Sequence, residues 1–92
     1  MTQWYVYLIQ SKRDGSIYTG ITTDPIRRLD QHNQGSGAKR TRGRGPWVIL
    51  CTQMYPNRST ALREEARIKK LSRTEKELYI AHYGETAILR LP

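Results

Sequence analysis

Hydrophobic residues along this chain switch between two periods, and the switches set out its elements. Residues 4–10, "WYVYLIQ", are dense in aromatic and β-branched side chains and predict a strand. Asp14-Gly15 in "KRDGS" is a pair suited to a tight hairpin, from which "IYTGI" returns as a second strand. Asp24 predicts a helix N-cap with Pro25 at the first helical position, and Ile26 and Leu29 give that helix its buried side. Gly35 closes it near residue 34. "GSGAKRTRGRGP" is a basic loop punctuated by glycine, "WVILCTQM" predicts a third strand, and "YPN" breaks it. From residue 59 to 71, "STALREEARIKKL" has helical spacing. Ser72 with Glu75 three positions later forms a capping box for a last helix over "TEKELYIAHY", which Gly84 is expected to stop. The tail "ETAILRLP" fits neither period. The order ββαβαα, without repeat or linker, predicts one α+β domain spanning residues 1–92.

Composition narrows the partners. The 92 residues hold 16 basic against 8 acidic side chains, a formal charge of +8, which favours a polyanion: nucleic acid first, anionic lipid second. The hydrophobic fraction is 37% and there is no Phe, so six Tyr and two Trp carry the aromatic content of a single modest core. "WYVYLI" is too short for a signal-peptide core or a membrane span. The single cysteine, Cys51, lies in an apolar run and reads as a small core residue. These features lead us to expect a cytoplasmic setting with no membrane partner.

Chemistry is suggested by polar residues placed where burial is expected. In the helix from residue 59, Ala61, Leu62, Ala66, Ile68 and Leu71 define the apolar face, with Glu65 roughly 25° from its centre and Glu64 roughly 75° away. A carboxylate aimed at a core needs a salt bridge or a metal ion, and carboxylate oxygen suits Mg²⁺ or Mn²⁺. Arg28 and His32, four apart, share one ridge of the first helix; they are either a solvated face or a phosphate clamp beside a proton acceptor. Tyr7 and Tyr18 lie on adjacent strands and can face that same helix.

"YVYLI" with Tyr7, then "YTGIT" with Tyr18, then Arg28, His32 and "ALREEARIKKL" together resemble the GIY-YIG nuclease domain, over about residues 4–81. "GSGAKRTRGRGP" further resembles the small, single-domain, UPF0213-like branch of that family. The first tripeptide departs from the pattern at Tyr5 and Val6 and the second at Thr19, while both tyrosines and Gly20 are kept. A late asparagine of some members has no counterpart after Glu65, and Asn57 comes too early.

The resemblance implies a small three-stranded antiparallel sheet flanked by about three helices, and a divalent-metal-dependent DNA endonuclease. Its register selects Glu65 over Glu64 as the metal ligand, for Mg²⁺ or Mn²⁺. It implies Arg28 as phosphate clamp, Tyr7 as general base with His32 assisting or relaying the proton, and Tyr18 orienting phosphate or water. Gly20 is structural. A tyrosine base near neutral pH needs a shift of about three units, roughly 4 kcal/mol, which a metal ion and clustered arginines can supply.

Lys39, Arg40, Arg42 and Arg44, in a loop flexible enough to follow a phosphate backbone, are expected to contact nucleic acid together with Arg27 and Lys69. Trp4 and Trp47 are either stacking platforms or strand-start packing. The size of the chain and its basic loop favour single-stranded, flap or branched DNA. The alternative is a non-catalytic nucleic-acid-binding module with a degenerate site.

Overall fold

The computed structural model describes residues 2–89, with side chains to residue 84. Strand β1 (Trp4–Ser11) is the centre of a three-stranded antiparallel sheet in the order β2-β1-β3, with β2 (Ile17–Thr22) and β3 (Trp47–Tyr55) at the edges. Helix α1 is Pro25–Gln34, α2 is Arg58–Lys69 and α3 is Arg73–Leu89, and a single 3-10 turn, Lys39–Thr41, interrupts the basic loop. The α+β order predicted from the sequence is the observed one. No helix among the described residues is long and apolar enough to cross a membrane.

Because β1 is covered on both faces, its alternation is masked and residues 6–9 are all buried. Val6 and Leu8 point to one side, into a core with Cys51, Ala61, Ile68 and Tyr79 beneath α2 and α3. Tyr7 and Ile9 point to the other, where Trp47, Tyr18, Leu29 and Ile49 pack below α1. Cys51 is a fully buried core residue.

Local chemistry fixes the helix starts. The Asp24 carboxylate accepts the Arg27 backbone N–H at 3.1 Å, with Pro25 at the first turn, and Gly35 ends α1 in the left-handed region at φ 82°. Ser72 and Glu75 cap α3 reciprocally, the Ser72 Oγ accepting from Glu75 N at 3.1 Å and Glu75 accepting from Ser72 N at 2.9 Å.

Three expectations are corrected. Gly84 does not stop α3, which runs on to Leu89 and takes up part of the unplaced tail; residues 90–92 lie outside the described residues. Its backbone instead packs against β3, where a Cβ at residue 84 would meet the Leu50 carbonyl oxygen at 2.8 Å. On α2, the buried line is Ala61 and Ile68, while Ala66 is exposed. Glu64 and Glu65 therefore flank that line at similar depth, their side chains 19% and 17% exposed. Finally, the basic loop is tied down: Arg44 pairs with Asp14 at 3.0 Å and donates to Ser16 Oγ and the Arg40 carbonyl, while Ser11 Oγ donates to the Arg44 carbonyl.

Candidate active site

Pairing in β1 and β2 sets Tyr7 opposite Gly20 and Ile9 opposite Tyr18, so both tyrosines emerge on the α1 face. Their rings are 6.3 Å apart, and the His32 ring from α1 closes the triangle at 5.7 Å from Tyr7 and 5.3 Å from Tyr18. The backbone must come close for this to happen. A Cβ on Gly20 would overlap the Tyr7 hydroxyl, and one on Gly37 would overlap the His32 ring.

Hydrogen bonds fix the tautomer of His32. The Thr41 Oγ1 donates its one proton to the Ala38 carbonyl at 2.9 Å, so at 2.7 Å from His32 Nδ1 it acts as acceptor. The imidazole proton is thereby assigned to Nδ1, which leaves Nε2 to accept from the Tyr7 hydroxyl at 2.8 Å. The chain Tyr7–His32–Thr41–Ala38 is buried along most of its length, with Tyr7 and His32 both 2% exposed. Trp47 Nε1–H braces it by donating to the Thr41 carbonyl at 3.1 Å.

Burial also sets the charge states. It holds His32 down to about 4, helped by the Arg28 guanidinium, so the ring is neutral at pH 7. Burial lifts Tyr7 to about 12; nearby Arg28 pulls it back only in part, while Tyr18 and Glu65 push it further up. Arg28 thus pulls in the expected direction, but arginine alone does not outweigh burial and generate a phenolate here.

The sequence-predicted residues divide into two groups. Tyr7, Tyr18, Gly20, Arg28 and His32 come together, with Glu65 near enough to act on the Tyr7 charge. Arg28, half-buried, donates to the Gln31 side chain at 2.9 Å and borders a cavity of about 320 Å³ with Arg27. Lys39, Arg40 and Lys69 line a second cavity. Arg42 is exposed on the loop, and Arg44 is occupied in holding that loop to the β1–β2 turn. Trp47 is core, and Trp4 packs half-buried under the Arg58 guanidinium at 5.7 Å. Thr41 and Gly37 escaped the sequence reading: they sit inside a basic loop, and nothing local marks them as partners of His32.

Glu65 is salt-bridged to Lys69 at 3.3 Å. Among the described residues no three His, Cys, Asp or Glu side chains gather into a cluster. A single half-buried carboxylate suits a hard ion that keeps most of its waters and shares substrate oxygens, as Mg²⁺ and Mn²⁺ do. It does not suit zinc, which needs three or four protein ligands.

Two tyrosines on the neighbouring strands β1 and β2, with an arginine and a histidine beside them from the first helix, match the pattern of the GIY-YIG class. The sequence profile of the GIY-YIG catalytic domain matches residues 3–79, and the chain belongs to this family, whose members are usually nucleases and generally use divalent metal ions. Its relatives are UPF0213 proteins. It is 50% identical over 78 residues to UPF0213 protein SG0387 of Sodalis glossinidius, covering 85% of this chain and 72% of that one. It is 48% identical over 80 residues to UPF0213 protein BH0048 of Halalkalibacterium halodurans, covering 87% and 84%. The solution NMR structure of BH0048 from Bacillus halodurans superimposes with TM-score 0.59 at 46% identity, covering 89% of this chain and 86% of that one. That of EF2693 from E. faecalis does so with TM-score 0.61 at 42% identity and the same coverage.

Proposed function

We propose that the core, about residues 4–81, acts as one nuclease unit that hydrolyses phosphodiester bonds in DNA with the help of one divalent ion, Mg²⁺ or Mn²⁺. The observation that carries this reading is the Tyr7–His32 hydrogen bond of 2.8 Å in the tautomer that leaves Nε2 as acceptor, beside Arg28. In this mechanism Arg28 leaves Gln31 to clamp a non-bridging oxygen of the phosphate. Tyr18 walls the site and orients the attacking water. As that water attacks phosphorus, its proton passes to the Tyr7 oxygen while the Tyr7 proton moves to His32 Nε2. The phosphorus–oxygen bond to the 3′ side breaks, and solvent protonates the leaving oxygen.

Glu65 would hold the ion after releasing Lys69, which is then free to meet phosphate. When bound, the ion supplies positive charge against which the phosphate oxygens and the leaving oxygen are stabilised. The free Nε2 of a neutral His32, hydrogen-bonded to an uncharged Tyr7, supports a proton-relay role for Tyr7. Burial and Arg28 oppose the charged ring, so the negative phosphate beside it is what would let His32 hold the proton. The preferred substrates are single-stranded, flap or branched DNA, in which a single backbone can approach along the edge of β2.

The test is cleavage of labelled single-stranded, duplex and flap DNA in Mg²⁺, Mn²⁺ or EDTA, by wild type and Glu65→Gln. Metal-dependent cutting that Glu65→Gln abolishes is the expected result. Binding without cutting in any metal would replace the nuclease by a nucleic-acid-binding module, and equal cutting of plain duplex would remove the substrate preference.

A further inference from the structure

The outer edge of β2 carries a feature that the Tyr7–His32 cluster does not use. Beside residues 17–19 an open cavity of about 430 Å³ is walled on the loop side by Lys39 and Arg40. Lys69 and Lys76 wall it on the other side, where α2 gives way to α3. Four cations from three separate segments meet there with no carboxylate in the wall. Lys69 is shared with Glu65, but Lys39, Arg40 and Lys76 have no acidic partner among the described residues. Glu75, next to Lys76 in sequence, is turned back onto the Ser72 N–H and leaves Lys76 uncompensated. Converging like charges of this kind repel one another until an anion enters.

Tyr18 is the partition between this cavity and the catalytic cluster. It lines the cavity, and its ring lies 5.3 Å from that of His32. At the other end of the same six-residue strand, roughly 20 Å long, the smaller cavity holds Arg27 and Arg28. The carboxylate-free hollow and a second one, with two arginines beside the Asp24 cap, thus lie on both sides of the Tyr7–Gly20 pair, along a strand edge that no other strand covers among the described residues.

We infer that the cavity bordered by Lys39, Arg40, Lys69 and Lys76 is a second phosphate subsite, holding the phosphodiester that adjoins the one cleaved. This rests on the nuclease reading and deepens it. The Arg40 fork grips two phosphate oxygens, the lysines act as movable point charges, and the Ile17 and Tyr18 side chains offer an apolar surface to the sugar. The site positions the strand without reading its bases. It also ties substrate to catalysis through one loop, because Ala38 of its wall accepts the Thr41 hydroxyl that holds His32.

The test measures binding of a short labelled oligothymidylate in EDTA, where metal-dependent cutting is off, across a series of KCl concentrations. Wild type is compared with Lys76→Gln, Lys39→Gln/Arg40→Gln, and Arg63→Gln, an exposed α2 residue outside the cavity that controls for net charge. Each lost phosphate contact is expected to reduce the slope of log K against log salt by about 0.7, with Arg63→Gln keeping the wild-type slope. Equal effects of Lys76→Gln and Arg63→Gln would mean a diffuse field and overturn the subsite. A parallel NMR titration with pyrophosphate should move the amides of residues 38–41 and Lys76. Oligothymidylate binding without those shifts overturns the subsite and leaves the nuclease standing. Pyrophosphate shifts in a protein that neither binds nor cuts DNA leave an anion site and remove the nuclease.

Discussion

The Tyr7 hydroxyl fills the space into which a Cβ on Gly20, its register partner across β1 and β2, would project, and leaves no room there for a side chain. Gly20 thereby sets how far the Tyr7 ring can descend towards His32. Gly20→Ala is expected to push the hydroxyl out of its 2.8 Å bond. The overpacking should cost about 1–3 kcal/mol of stability, and the displaced hydroxyl should lower the cleavage rate about a hundredfold. Thermal denaturation beside a cleavage assay checks both; a variant that stays fully active would mean that Tyr7 has no part in the chemistry.

Thr41 acts one bond further back. Thr41→Val keeps the shape but leaves the buried His32 Nδ1–H without an acceptor, at a cost of about 1–3 kcal/mol. It also frees the ring to place its proton on Nε2, which then cannot accept from Tyr7. Long-range proton–nitrogen NMR should show the Nδ1–H tautomer in wild type and in Thr41→Ser, and its loss in Thr41→Val. Cleavage should fall about tenfold or more in the valine variant, a barrier increase of about 1.4 kcal/mol. An unchanged tautomer with unchanged rate would reduce Thr41 to packing.

His32 gives stability a pH dependence of predictable sign. Its folded-state value is lowered to about 4, against about 6.5 in an unfolded chain, so between those values the unfolded state binds more protons. The stabilisation is complete above about pH 6.5 and is lost as pH falls towards 4. Urea denaturation from pH 7 to 4.5 should therefore show stability falling with pH, and His32→Gln should flatten that part of the curve. A flat wild-type profile would show that the ring is not held neutral by burial.

Thr19 stands where the family tripeptide has an apolar residue, and its hydroxyl is the one buried side-chain polar atom among the described residues with no hydrogen-bond partner. The residue is 4% exposed on the α2 face of β2, opposite Leu8. An unpaired buried hydroxyl costs about 1–3 kcal/mol. Thr19→Val should therefore raise the denaturation midpoint, the opposite of what a random core substitution does. A loss of stability would point to a partner for the hydroxyl, such as a buried water.

The parts of this fold that were legible in the sequence are those whose cause lies within four residues. Asp24-Pro25 and Ser72 with Glu75 declare helix starts because capping is satisfied locally, and the strand alternation that sets Tyr7 beside Tyr18 is equally local. The basic loop reads as flexible because its anchors lie beyond local range: Arg44 meets Asp14 thirty residues away, and Thr41 meets His32 nine and Trp47 six residues away. The wide gap in depth that helical angle gives between Glu65 and Glu64 shrinks to almost nothing for a related reason. Helical angle measures distance from a face drawn through Ala66, and the sheet buries a line through Ala61 and Ile68 instead. What separates the two carboxylates is their surroundings, since Glu64 lies with Tyr55 and Arg67 while Glu65 acts on Tyr7.

Gly84 poses the sharpest choice between a local rule and packing. In an open helix interior, replacing glycine with alanine gains about 1 kcal/mol, because alanine loses less backbone entropy. Within α3 the new methyl would stand 2.8 Å from the Leu50 carbonyl oxygen, with the Cys51 Cβ at 3.9 Å behind it. The obstacle is strand backbone at the irregular pairing beside Leu8 and Ile9, and it cannot swing away as a flexible side chain would. α3 must then lift from β3, opening the core around Cys51 and Tyr79. Gly84→Ala is therefore expected to destabilise by about 1–3 kcal/mol, reversing the sign that helix propensity gives. Chemical denaturation of the single variant decides between them, and a gain in stability would mean that α3 does not approach β3 this closely.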